Sequence, residues 1–183
     1  MIADSTVHAA TLRVALQGAA SLGLSTEVIL ARLGLDRAMV EAPDGRVPRV
    51  LAYRLWDELT SLSGDDGFGL RLAGATREGA LGVVEYACRY SHTFEEALRN
   101  VARYSRLLHD GAIIGVEVEG DEVIYTHHLA DQPQGCPRAW VDWFLSYIVG
   151  SGRQMTGVDL VPRRVDFQHG PPSDAKPYAC LFR

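Results

Sequence analysis

The sequence predicts an α+β fold in which a helical N-terminal half packs on a small antiparallel β-sheet, accompanied by an aromatic-rich helix. Three observations predict it. Apolar residues recur at helical spacing through the first half of the chain. The period then switches to two on either side of Gly120-Asp121, and residues 139–155 gather Trp140, Trp143, Phe144, Tyr147 and Ile148 on one broad helical face. A mostly helical domain carrying the hairpin as an edge appendage is the alternative architecture. With 183 residues and 47% hydrophobic content, one well-buried domain over 1–183 is expected, whereas two domains would each be small.

The helical half is read from its stripes and its breakers. Val7, Ala10, Val14 and Gly18 share one face of a first helix. Ser25 is placed to cap a second helix that runs through Leu33, and Gly34 closes it. Pro48 suits a first helical turn, where its missing N–H costs nothing, and Leu51, Leu55, Leu59 and Leu62 form the apolar stripe that follows. Thr93 and Glu96 form a capping box, the hydroxyl accepting from a backbone N–H and the carboxylate reaching back to the cap residue. Phe94, Leu98, Val101, Ser105 and Leu108 continue that helix at spacings of four and three.

Immediately afterwards Ala112, Ile114, Val116 and Val118 alternate with the intervening residues as a half-buried strand does. Gly120-Asp121 makes a two-residue turn that sets the register: Glu119 opposite Glu122, Val118 opposite Val123, Val116 opposite Tyr125 and Ile114 opposite His127. Pro133, Gly135 and Pro137 mark a loop before the aromatic helix. A third strand is expected over residues 163–168, with Val165 and Phe167 on one side and Arg164 and Asp166 on the other. Gly170-Pro171-Pro172 then breaks the chain before a short final helix.

Composition excludes several functions. A formal net charge of -5 is unsuited to gripping nucleic-acid phosphates with this chain. The three cysteines, Cys88, Cys136 and Cys180, are widely spaced and lack a C-x-x-C pair, which predicts reduced thiols and a cytoplasmic location. No secretory leader is visible. The longest apolar stretch, around Trp140 to Val149, contains Asp142 and is too short to cross a bilayer.

The space between the apolar hairpin face and the aromatic helix is the leading candidate site. Tyr125 and His127 are expected to point toward Trp140, Trp143 and Tyr147, which would give a small-molecule pocket a mostly apolar lining with few polar groups. Aromatic stripes and a lone histidine are equally the stuff of ordinary cores. Arg99, Arg103 and Arg106 form a row on the capped helix, and Arg103 is a candidate partner for a carboxylate or phosphate. His127 and His128 are adjacent on a strand, point to opposite faces and cannot chelate one metal ion together. Gly150-Ser151-Gly152 lacks the spacing of a nucleophile elbow, so no catalytic residue and no cofactor is assigned, and no enzymatic activity is expected. Residues 27–40 imitate a helix-turn-helix, but the second helix would offer only Arg37 as a cation.

One ordered run carries a family resemblance: Gly67-Phe68-Gly69-Leu70, Gly79-Ala80-Leu81-Gly82, Thr93-Phe94-Glu95-Glu96-Ala97-Leu98 and Arg103-Tyr104. Asp44-Gly45-Arg46-Val47-Pro48 upstream, and Phe167-x-His169-x-x-Pro172 with Tyr178 and Phe182 downstream, extend it over most of the chain. The pattern resembles the arabinose-binding-like, effector-sensing N-terminal region of AraC/XylS-type bacterial transcription regulators. The resemblance implies a domain that binds a small-molecule effector and controls a DNA-binding part. That part would be two helix-turn-helix units, which this sequence lacks, so DNA contact is expected only through an absent C-terminal domain. It also implies self-association as a dimer. A stand-alone small-molecule-binding or interaction module without a transcriptional role is the alternative, and the effector's identity is left open among a fatty acid, an aromatic acid and an amino-acid-derived ligand, the arginine row tilting the reading slightly toward a carboxylate.

Overall fold

The computed structural model describes residues 5–129 and 136–183. The chain opens with strand β1 (Thr6–His8), which turns directly into helix α1 (Ala9–Ser21). His8 caps that helix, its Nδ1 accepting from the Ala10 N–H at 3.1 Å. Val7 therefore belongs to a strand and not to the first helix as its spacing suggested. It is pulled into extended geometry by pairing with β2 (Arg46–Pro48), where Val7 faces Val47, and both are almost wholly buried.

Between these strands lie α2 (Thr26–Leu33) and α3 (Arg37–Glu41). Gly34 ends α2 with φ 64°, a left-handed conformation that glycine adopts without Cβ strain. Ser25 occupies the cap position, although its hydroxyl makes no capping bond. Helix α4 (Arg49–Ser63) follows β2 directly, with Pro48 as its N-cap residue. Its stripe is buried at Leu55 and Leu59, while Leu62 is exposed, because the helix rotates Trp56 and Ala52 into the core instead.

Helices α5 (Phe68–Ala75) and α6 (Val83–Arg89) lead to α7 (Phe94–Leu108). The capping box starts α7: Thr93 Oγ1 accepts from the Glu96 N–H at 3.1 Å. The reciprocal bond departs by one residue from the sequence expectation, since Glu96 accepts from the N–H of His92, at 2.8 Å, and not from that of Thr93. Strands β3 (Ala112–Glu119) and β4 (Glu122–Leu129) then pair antiparallel with the predicted register, Glu119 opposite Glu122 and Ile114 opposite His127. Gly120 supplies the turn's positive φ of 63°.

Helix α8 (Arg138–Thr156) packs most extensively on α5. Pro137 is its N-cap residue; Pro133 and Gly135, predicted to lie in the preceding loop, fall outside the described residues. The core gathers around Trp56, Trp143 and Phe68, with Trp56 and Trp143 ring centroids 5.5 Å apart.

The architecture is α+β, with two separate two-stranded sheets among the described residues. The expected third strand at residues 163–168 is absent. Phe167 commits its ring to His169, Tyr178 and Phe182, while Arg163 pairs with Glu122 and Asp121 at the hairpin tip through its side chain. These contacts leave the segment beside the hairpin without a backbone ladder. The predicted final helix is present as α9 (Lys176–Leu181).

Candidate functional site

Two adjoining cavities lie between the hairpin, α6, α7 and α8, with volumes of about 410 and 540 Å³ including the space at their mouths. Much of this is space between side chains and at the mouths: the room open to a water-sized body is about 30 and 60 Å³, so a bound molecule would have to part the walls. Leu81, Val84, Val101, Leu108 and Phe144 border both, so the two chambers share a wall of apolar side chains.

The first chamber lies under the hairpin. Trp140 and Phe144, one helical turn apart on α8, stack with centroids 5.4 Å apart and planes at 8°. His127 leans on both, 5.3 Å from Trp140 and 5.2 Å from Phe144. Its ring is held by these faces and makes no hydrogen bond among the described residues. His109 also stands against Trp140, with ring centroids 5.8 Å apart. Its Nδ1 accepts from the Gly111 N–H at 3.1 Å, so the proton of the neutral ring sits on Nε2 and is donated to the Tyr53 hydroxyl at 2.9 Å. The Tyr53 O–H is then free to point at Cys136 Sγ, 3.6 Å away.

Burial, reinforced by Arg49, pushes His109 down to about 4; burial also pushes His127 down to about 4, helped by its two histidine neighbours. Both imidazoles are therefore neutral at ordinary pH. The remaining polar groups of this chamber are already engaged, Thr11 with the His8 carbonyl and Ser105 with that of Ala102.

The second chamber lies between α6, α7 and the middle of α8. Glu85 is 5% exposed, and three donors surround its carboxylate: the Gly79 N–H at 2.8 Å, the Leu81 N–H at 3.1 Å and Arg89 Nε at 2.8 Å. Burial alone would raise its pKa, but these bonds outweigh it and hold the group below the usual carboxylate range. The run from Gly79 to Gly82 thereby acquires a structural role. Positive φ angles of 79° at Gly79 and 64° at Gly82 fold the chain so that its amides converge on Glu85.

Tyr147 lies beside this pair, its buried hydroxyl close enough to interact with both Glu85 and Arg89 although it meets neither in a fully formed hydrogen bond. Ser151, one turn further along α8, is likewise buried and without a partner in the described structure. Cys88 lines the same chamber as a free thiol, and burial raises it to about 11.

The sequence-predicted residues divide among these surroundings. His127, Trp140 and Trp143 line the first chamber and Tyr147 lines the second. Tyr125 is behind them, near Cys88, its buried hydroxyl also without a partner. Arg103 is exposed on α7, its guanidinium 5.4 Å from the Tyr104 ring, and borders neither chamber. Arg99 is occupied by Glu95 one turn away. Glu85, Cys88 and Arg89 escaped the sequence reading. The i,i+4 spacing of Glu85 and Arg89 was the available signal. Among the described residues no group of three or more His, Cys, Asp or Glu is placed to hold a metal ion, and no helix is long and apolar enough to cross a membrane.

Fold and cavities together define an α+β domain with an apolar interior chamber roofed by a single hairpin. More particularly, residues 23–183 match the family model described as the N-terminal arabinose-binding domain of the AraC transcription regulator, and the chain belongs to that family. Comparison with curated proteins returns no match. Membership makes this a domain of a regulatory family, and the resemblance seen in the ordered glycine and capping-box run is the same relationship.

Proposed function

We propose that the domain binds a small-molecule effector in the paired chambers and thereby controls a DNA-binding part of an AraC-type regulator. The observation that carries this reading is the pair of apolar chambers that share the wall around Phe144 in a chain of this family. His127, Trp140 and Trp143 would contact the effector in one chamber and Tyr147 in the other. Arg103 faces solvent and does not join this contact set. Control requires only that the effector bind one arrangement of α7 and α8 better than another.

The family's description names arabinose, but these walls favour something less polar. A pentose buried here would leave most of its hydroxyls without partners, at a cost for each. The test is a thermal-shift and tryptophan-fluorescence panel of sugars, acids, alcohols and ketones, repeated on Val101→Phe, which fills the shared wall. A ligand should raise the melting temperature of the parent and leave the variant unmoved. If no compound shifts the parent, or if Val101→Phe responds equally, the chambers are not the effector site.

In the whole regulator, operator binding should change with effector, and Val101→Phe should abolish that response. Self-association belongs to the same reading. Val83 (73% exposed), Tyr86 (47%) and Tyr90 (83%) form an apolar patch along α6, with Tyr86 and Tyr90 rings 6.5 Å apart. A concentration-dependent dimer in analytical ultracentrifugation, lost in Tyr90→Glu, is the expected result.

A further inference from the structure

We infer that the second chamber selects an uncharged, mainly apolar molecule bearing a hydroxyl, carbonyl or amide oxygen, and rejects carboxylates and amines of the same size. This rests on the effector reading above and sharpens it. Leu81, Val84, Phe94, Leu98, Ile148 and Met155 surround the space, and an alkyl or alicyclic body removes their faces from water.

Charge decides the head group. Arg89 is the cation lining this chamber among the described residues, and its guanidinium is already engaged. Nε donates to Glu85 at 2.8 Å, Nη2 donates to Gln154 Oε1 at 3.3 Å, and Glu78 lies 3.8 Å from Nε. Two carboxylates thus share one guanidinium. An incoming carboxylate would add a further negative charge beside Glu85 and Glu78, in an apolar space where unpaired charge is strongly disfavoured. An ammonium group fares little better, since Glu85 is turned toward the Gly79 and Leu81 amides and Arg89, all three of which hold it in place.

What the chamber leaves unsatisfied is neutral. The hydroxyls of Tyr147 and Ser151 are buried without a fully formed hydrogen bond in the described structure, one helical turn apart on the same side of α8, that of Tyr147 beside Glu85 and Arg89. A hydroxyl can both donate and accept, so one ligand oxygen set between these two could bond to both. Buried groups of this kind are normally paired, and two under-satisfied hydroxyls on residues that line an apolar chamber mark where a ligand atom belongs.

The test uses octan-1-ol, octanoate and octylamine, matched in chain length, each titrated into the parent chain. Binding is read from tryptophan fluorescence, and occupancy from protection of Cys88 against alkylation, because that thiol lines the same chamber. Octanol should bind at least about tenfold more tightly than either charged probe and should slow Cys88 alkylation. Tyr147→Phe and Ser151→Ala should each weaken octanol about fivefold, the size of one neutral hydrogen bond, with melting temperatures little changed.

Preferential binding of octanoate, lost in Arg89→Gln, would overturn the assignment while leaving the chamber an effector site. Preferential octylamine binding would do the same. If none of the probes is bound and Cys88 is never protected, the effector reading falls with it. Equal octanol affinity in parent, Tyr147→Phe and Ser151→Ala would also overturn the inference, because the orphan hydroxyls would then play no part.

Discussion

Gly69→Ala probes the contact that positions the aromatic wall. A Cβ on Gly69 would stand 2.2 Å from the Ala139 carbonyl oxygen, 2.9 Å from its carbon and 3.0 Å from its Cα. All three are backbone atoms of α8, so no rotamer change relieves the clash. An ordinary C···O contact is about 3.3 Å, and the two helices must therefore separate by roughly 1 Å. Overpacking of this kind costs about 1–3 kcal/mol, and a clash against backbone belongs at the upper end. The higher helix propensity of alanine returns up to about 1 kcal/mol. The net loss is about 2 kcal/mol, which for a chain of this size lowers the melting temperature by roughly 4–8 °C.

Gly74, on the same helix, is the internal control. A Cβ there meets nothing within 4 Å, so Gly74→Ala should melt at or slightly above the parent. Thermal unfolding followed by far-UV circular dichroism measures both. If Gly69→Ala melts as high as the parent while Gly74→Ala behaves as stated, the close approach of α5 to α8 is not what this glycine serves.

Further outcomes concern protons, thiols and the helix cap. His109 and His127 titrate near 4 when folded and near 6.5 when unfolded, so their contribution is present above 6.5 and is lost as pH falls toward 4; acid melts should show a steep decline over that interval. His169 runs the other way. Burial opposes its charge, but bonds to Asp142 and the Gly170 carbonyl prevail and raise its pKa, so its contribution is complete below 6.5 and fades as pH rises through the folded value. His169→Asn should therefore destabilise more at about pH 6 than at about pH 8.5 in chemical denaturation. In the native protein Cys180, which is exposed, should alkylate well before Cys88 and Cys136, both raised to about 11 by burial; mass spectrometry of partially labelled protein resolves the order. Thr93→Ala should cost about 1 kcal/mol in urea unfolding through loss of the α7 cap.

The hairpin register was legible because Gly120-Asp121 leaves little choice of pairing once both strands alternate. Helix α7 was legible from its cap, and α8 from the aromatic face that any packing partner must cover. Beneath these lie features with no local signal. Strands β1 and β2 are three residues each, too short for a period, and they exist because Val7 and Val47 meet in the core. The alternation at residues 163–168 was real, but it serves a ring cluster with Tyr178 and Phe182 instead of a sheet edge. For the candidate site, one wall could be read from Trp140, Trp143 and Tyr147. The facing wall could not, because α6 has only seven residues and its Glu85 is recognisable as buried only when the Gly79 and Leu81 amides close over it.

Asp142 gives α8 a second, opposite face. It is fully buried, accepts from the Tyr178 hydroxyl at 2.5 Å, bonds His169 Nε2 at 3.0 Å and lies 3.7 Å from Arg138. Two residues before it and two after it, Trp140 and Phe144 point the other way, into the first chamber. The helix is thus a beam tied on one side to the C-terminal segment, while another of its sides meets whatever fills the cavity. Its tilt or slide would be shared by both sides. A molecule entering the chamber and a proton leaving His169 would therefore load the same beam, and the position of the last helix would register their sum.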